Sequence, residues 1–299
     1  MAKFTIILFF ITAFGFAQTD EILDFGNSKL HYKTVGKGKP ILIINGGPGM
    51  NCEGFTFIAH ELSKMGFQAI TYDQRGTGKS IVEPISPETI TMDLMVDDIE
   101  KLRKHLNIQN WIVFGHSFGG MMATYYASKH PETIDKLIFS SSGGVNMKFT
   151  SYGQERMRNN LSQTERDSLD YYQTKINKGD SSRETLQLRA KYLANAYVFN
   201  KKNAPIIAER LTQSKFEITA LVFDNLFKIK FDCSMKFGNF KQKVLVLQGK
   251  NDIISPETAK EIASTFPNSK LVLIENCAHY GWLDAPKIYF DSIKSFLKD

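Results

Sequence analysis

Gly115-His116-Ser117-Phe118-Gly119 sets a serine between glycines two positions before and two positions after it. The stretch follows Trp111-Ile112-Val113-Phe114, an apolar run of the length and composition of a buried strand. It precedes Gly120 to Ala127, rich in small residues, which predicts a helix. A serine on such a strand-to-helix turn fits a nucleophile elbow, where side chains at the glycine positions would collide with the turn. The helix start adds backbone N–H groups and the positive end of a dipole beside the serine oxygen. The chemistry such a serine can do is acyl transfer.

A serine nucleophile needs a base within hydrogen-bond reach, and the base needs an acid to orient it. Two histidines follow Ser117, His130 and His279. His130 falls at the far end of the elbow helix, about 18 Å from the serine at 1.5 Å per residue, and cannot reach it. His279 lies just beyond the carboxyl end of an expected strand, where sites of such sheets gather, and is the expected base. Asp252, directly after the Val244 to Gln248 strand, is the expected acid, with Asp232 and Glu275 as rivals. It precedes His279 by 27 residues, room for one helix and one strand. Two N–H donors should hold the oxyanion: that of Phe118 and that of Gly47, in the glycine-rich loop Asn45 to Gly49.

These residues need a frame that brings strand ends together. Ile41-Leu42-Ile43-Ile44, Phe67 to Tyr72, Trp111 to Phe114, Lys136 to Phe139, Val244 to Gln248 and Lys270 to Glu275 read as strands. Helical segments separate them: Phe55 to Met65, Ile90 to Leu106, Pro256 to Phe266 and Lys287 to Leu297. That alternation predicts an α/β fold with a mainly parallel sheet flanked by helices. Residues 145–237 break the rhythm, being polar and without strand patterns. They are expected to form a helical cap inserted between two parts of one core, 18–144 and 238–299.

Composition narrows the function classes. With 42% hydrophobic and 23% charged residues the chain can build a core, which argues against wholesale disorder. The lysines at 228, 230, 236, 241 and 243 have no aromatic-basic repeat or recognition helix with them, so nucleic acid is not an expected partner. Gly78-Lys79-Ser80 suggests a phosphate loop, but Asp73 stands where the pattern requires glycine, so nucleotide binding is rejected. Three cysteines, Cys52, Cys233 and Cys277, form no disulfide framework; one bridge is allowed, and spacing does not choose it. No metal-ligand spacing occurs, and neither a metal nor a cofactor is expected.

The motifs Asn45-Gly46-Gly47-Pro48-Gly49, Asp73-Gln74-Arg75-Gly76-Thr77-Gly78-Lys79-Ser80 and Gly115 to Gly120, with Asp252 and His279, resemble the prolyl iminopeptidase family of α/β-hydrolases. The resemblance covers the core, and the cap only loosely. It implies the α/β-hydrolase fold, release of an N-terminal proline or another small residue from peptides, and no cofactor. Asn45 departs from the family, which usually has histidine there. Asp224-Asn225 looks like the family's cap Glu-Asn step, so the resemblance implies that Asp224 binds the substrate amine; Glu217, two helical turns earlier on the same face, is expected from spacing as its partner. The same core supports an esterase or amidase acting on small acyl substrates, and a third reading is a non-catalytic binding protein on a hydrolase fold.

Lys3, the apolar run Phe4 to Phe16 and Gly15-Phe16-Ala17 make residues 1–17 a signal peptide cleaved before Gln18. The run is too short for a comfortable membrane span, so an exported protein without a stable membrane anchor is expected. Mass spectrometry of the protein recovered from cells should find Gln18 as its first residue; an intact Met1 end would refute cleavage.

Overall fold

The computed structural model describes residues 18–298, so the segment read as a signal peptide lies outside the described residues. Strands β1 (Gln18–Asp24) and β2 (Ser28–Val35) open the chain as an antiparallel hairpin. They are followed by β3 (Lys39–Ile44), α1 (Thr56–Lys64), β4 (Phe67–Tyr72), the short β5 (Ile81–Val82) and α2 (Met92–His105). Then come β6 (Trp111–His116), α3 (Phe118–Lys129) and β7 (Ile134–Ser140). Five helices follow: α4 (Gly153–Asn159), α5 (Gln163–Asn177), α6 (Arg183–Ala194), α7 (Ala204–Leu211) and α8 (Phe216–Lys228). The chain closes with β8 (Lys243–Gly249), α9 (Pro256–Thr265), β9 (Ser269–Ile274), α10 (Gly281–Asp284) and α11 (Pro286–Lys298).

The strands form one sheet in the order β1-β2-β4-β3-β6-β7-β8-β9, with β5 on the side of β2. From β4 to β9 all neighbours are parallel, so their carboxyl ends share one edge. The central strands are buried on both faces, as their unbroken apolar runs require. In β3, Leu42 and Ile44 join the apolar layer beneath α2 and α3, while Ile41 and Ile43 join the layer beneath α1 and α11. The same alternation holds in β6 and β8. β1 was not expected from the sequence: Gln18–Asp24 is almost wholly exposed, with Leu23 its one buried side chain, and backbone pairing with β2 is what makes it a strand.

The inserted helices lie between β7 and β8 with no strand among them. The chain enters and leaves this insertion side by side: Asn146 bridges Asp232, and the N–H of Cys233 donates to the carbonyl of Val145 at 2.8 Å. Ile218, Val222 and Leu226 of α8 join one apolar layer, and Ala190 of α6 and Ile207 of α7 join the other. The cap is therefore continuous with the core rather than a loosely tethered unit. No described helix is long and apolar enough to cross a membrane.

The loop after β4 is held by charge. Asp73 accepts bonds from the N–H groups of Cys52 and Lys79, each at 2.8 Å, and lies 2.7 Å from His31 Nδ1. This is the structural use of the stretch that imitates a phosphate loop. Arg75 forms a two-pronged pair with Asp98 of α2, at 2.9 and 2.6 Å, buried on both sides. Burial pushes the Asp98 carboxyl up, against the pull of the Arg75 guanidinium. A half-made buried pair leaves an uncompensated charge. Asp98→Ala should therefore lower the unfolding free energy by about 3–5 kcal/mol in a urea titration. A loss below about 1 kcal/mol, the range of exposed pairs, would mean that water reaches the guanidinium.

Candidate active site

Ser117 sits between β6 and α3 with φ 55° and ψ −122°, a conformation that non-glycine residues rarely adopt. Its N–H donates to the carbonyl of Ser140 at 3.0 Å, and its carbonyl accepts from Gly120 and Gly143. The flanking glycines have a direct steric reason. A Cβ on Gly115 would lie 2.4 Å from the carbonyl oxygen of Gly119, and one on Gly119 would lie 2.1 Å from that of Ile44. Both contacts are with backbone, which cannot move aside.

His279 follows β9 and is held from the cap, its N–H donating to the carbonyl of Tyr197 at 3.0 Å. Its Nδ1 is 2.8 Å from Asp252 Oδ1, and both side chains are fully buried. The carboxylate is fixed further: Gln248 Nε2 donates to Oδ2 at 2.7 Å, and the N–H of Ile254 donates to Oδ1 at 3.0 Å. Arg156 of the cap donates twice to the Asp252 carbonyl, at 3.1 and 2.8 Å. A carboxylate partner makes Nδ1 the donor, which leaves Nε2 as the acceptor. Ser117 and His279 line one cavity of about 280 Å³, together with Gly47 and Phe118. Such a constellation can take a proton from a serine and hold a tetrahedral oxyanion. The rivals for the acid stand elsewhere: Glu275 is exposed and pairs with Lys250, and Asp232 is exposed and binds Ser234. His130 caps the far end of α3.

The loop carrying Gly47 is fixed by Asn45 and by two side chains that sequence reading did not single out, Gln74 and Arg210. Asn45 Nδ2 donates to the carbonyls of Gly46 and Met50 at 3.2 and 3.0 Å, so asparagine itself braces the turn where the family usually has histidine. Gln74 Nε2 donates to the Asn45 carbonyl at 2.8 Å, and Arg210 Nη2 to the Gly46 carbonyl at 3.2 Å. Arg210 is buried against the face of Phe55. Its sequence position, far from every motif, carries no signal of this contact. Buried polar atoms without a partner gather here: Asn45 Oδ1, Gln74 Oε1, His116 Nε2 and Arg210 Nη1. Burial pushes the imidazole of His116 well below its ordinary pKa, with His279 and Arg210 acting in the same direction, so it is neutral.

Asp224 and Glu217, expected to bind the substrate amine, both lie on α8. Both are exposed, and neither lines the cavity. They do share a face of α8, as their spacing requires, but it is the outer one. Phe216, Thr219 and Phe223 turn to the cavity instead. Asn225, beside Asp224, accepts from the N–H of Met92 at 2.9 Å and ties the cap to the start of α2. The polar residues lining the cavity besides Ser117 and His279 are Ser214, Thr219, Tyr197, Tyr280, His116 and Arg189. No carboxylate lines the cavity among the described residues.

All three cysteines are free and buried. Among the described residues, His31, Cys52 and Asp73 lie within 4.8 Å of one another, close enough to suggest metal ligands. Their chemistry does not fit an ion. Both ring nitrogens of His31 are bonded to carboxylates, of Asp73 and Asp20, and burial pushes the Cys52 thiol far up.

Residues 39–286 match the family model described as the alpha/beta hydrolase fold. The chain belongs to this α/β-hydrolase family. Curated relatives include a proline iminopeptidase of Clostridioides difficile strain 630, 27% identical over 93% of this chain and 98% of the relative. Another, from Lactobacillus helveticus, is 26% identical over 92% of this chain and 96% of its own. Among solved structures, the proline iminopeptidase of Mycobacterium smegmatis superposes with a TM-score of 0.74 at 20% identity, covering 94% of this chain and 98% of that one. An esterase from Exiguobacterium antarcticum superposes with a TM-score of 0.70 at 18% identity, covering 91% and 96%. These relatives make the hydrolase an enzyme of hydrolytic type, with peptidases among its kin. Ser117→Ala should reduce turnover on the order of 10⁴–10⁶-fold. A fluorophosphonate probe should label Ser117 in the hydrolase, and equal labelling of the alanine variant would remove Ser117 from the chemistry.

Proposed function

We propose that this chain is a serine hydrolase working through an acyl-enzyme, with Ser117 as nucleophile, His279 as base and Asp252 as orienting acid. The observation that carries this reading is the buried Asp252–His279 bond feeding the cavity that Ser117 enters. In the first half-reaction Ser117 Oγ attacks the substrate carbonyl while His279 Nε2 takes the hydroxyl proton. The N–H groups of Gly47 and Phe118 hold the oxyanion. His279 then returns the proton to the departing nitrogen or oxygen, and the acyl group stays on Ser117. Water enters, gives a proton to His279 and attacks the ester carbonyl; His279 then returns that proton to Ser117 Oγ as the acyl–oxygen bond breaks and the acid leaves. No step requires a cofactor or metal.

The substrate we favour is a short peptide whose N-terminal proline, or another small residue, is released. The proline iminopeptidases that match nearly the whole chain support it. A second reading, an esterase or amidase on small acyl groups, gains from one specific observation: the cavity offers no carboxylate to a substrate ammonium among the described residues. A binding protein without catalysis is disfavoured, because the serine, imidazole and carboxylate are all present. Export after cleavage before Gln18 remains part of the proposal. Aminoacyl-arylamides with a free amine, their N-acetylated forms and short acyl esters separate the readings. The peptidase reading expects acetylation to cut kcat/KM by about tenfold or more, the scale of a lost bond to a charged group. Equal cleavage of the acetylated substrate hands the assignment to the esterase or amidase reading.

A further inference from the structure

The cavity carries a cation that no described residue neutralises. Arg189, on α6, lines it from the cap side. Its Nε donates to Gln173 Oε1 of α5 at 2.6 Å, and its guanidinium lies 5.4 Å from the centre of the Phe216 ring. These contacts fix the side chain but supply no negative charge, and no carboxylate pairs with it among the described residues. The group is half-buried, so it has lost part of its hydration. Nη1 and Nη2 have no hydrogen-bond partner among the described residues. A second cation stands behind the oxyanion loop: Arg210, buried, bonded through Nη2 to a neutral carbonyl, with Nη1 unpartnered. The acid of the site, Asp252, is already committed to His279, Gln248 and Ile254.

A desolvated guanidinium without a counter-ion costs free energy that an incoming anion recovers. Its planar fork matches a carboxylate in two parallel bonds. We infer that the cavity selects substrates carrying a carboxylate away from the bond that is cut, and that Arg189 is the residue that selects them. This deepens the serine hydrolase reading and rests on it for turnover. The carboxylate can belong to the acyl part, as in a half-ester of a dicarboxylic acid, or to the leaving part, as in the C-terminus of a dipeptide. The chemistry at Arg189 is the same, and the substrate arms separate the two.

The test uses matched pairs: an aryl half-ester of glutaric acid against the aryl pentanoate, and a dipeptide with a small N-terminal residue against its C-terminal amide. In the wild-type chain at least one carboxylate-bearing member should exceed its neutral partner in kcat/KM by about ten- to hundredfold, the range of a hydrogen bond to a charged group. The arm that shows it tells which side of the bond faces Arg189. In Arg189→Gln that ratio should fall to near one, and Arg189→Lys should keep part of it. The ratio is the readout, because a general loss of folding lowers both members together. Ratios near one in the wild-type chain, or ratios that Arg189→Gln leaves intact, overturn the inference. Binding is read separately from turnover. Glutarate should protect the wild-type chain against thermal unfolding and not protect Arg189→Gln. If Ser117 proves unreactive yet glutarate protection depends on Arg189, the hydrolase reading falls and the anion site stands. If Ser117 is labelled and glutarate protects neither protein, the anion site falls alone.

Discussion

His279 and Asp252 are joined by one hydrogen bond between two loops that leave different strands. The bond can form only if β8 and β9 run parallel in register, since that is what brings both carboxyl ends to the same edge. Ser117 leaves β6 on the same edge, and Gly47 leaves β3 beside it. The apolar layers on both faces of these strands hold that register, because a shift of one residue would move every side chain into the opposite layer, packed for different shapes. The site therefore inherits its geometry from the sheet. Its loops need only be stiff, and they are: Asp252 is held by Gln248 and Ile254, and the Gly46 carbonyl by Asn45 and Arg210.

The cap acts on the site as much as it covers it. Tyr197 holds the backbone of His279, Arg156 that of Asp252, Arg210 that of Gly46, and Thr219 that of Pro48. Four residues of an insertion thus fix loops that belong to the core. The same insertion decides the character of the cavity. It supplies aromatic and aliphatic walls and one guanidinium, and its acids on α8 face away. A hydrolytic core shared by many relatives is in this way given a particular electrostatic lining by one segment of sequence.

Much of the frame was legible because the signals were local. Parallel, doubly covered strands read as unbroken apolar runs, and the elbow reads as glycines around a serine, for the steric reason that the backbone contacts of Gly115 and Gly119 now make plain. The edge strand β1 escaped, because an exposed strand held by backbone pairing alone carries no alternation of side chains. Arg210, Gln74 and Gln248 escaped for another reason: Arg210 and Gln74 act on partners distant in sequence, and Gln248 acts through amide bonds to the turn after its own strand, and no spacing rule records either.

By itself the sequence determined the alternating α/β order, the place of the serine on a strand-to-helix turn, and the chain order of serine, acid and histidine. These follow from period, turn chemistry and connectivity, which are properties of neighbouring residues. The sequence favoured Asp252 among three carboxylates that follow the elbow, but only the tertiary structure brings it against the imidazole of His279 and leaves Asp232 and Glu275 exposed. It also decided which face of α8 looks inward. Helical spacing shows that Asp224 and Glu217 lie together, but the rotation of a helix about its axis is set by what it packs against, here Ile218, Val222 and Leu226 on the core. That rotation turned the acids to solvent and left Arg189 as the charge in the cap's share of the cavity lining.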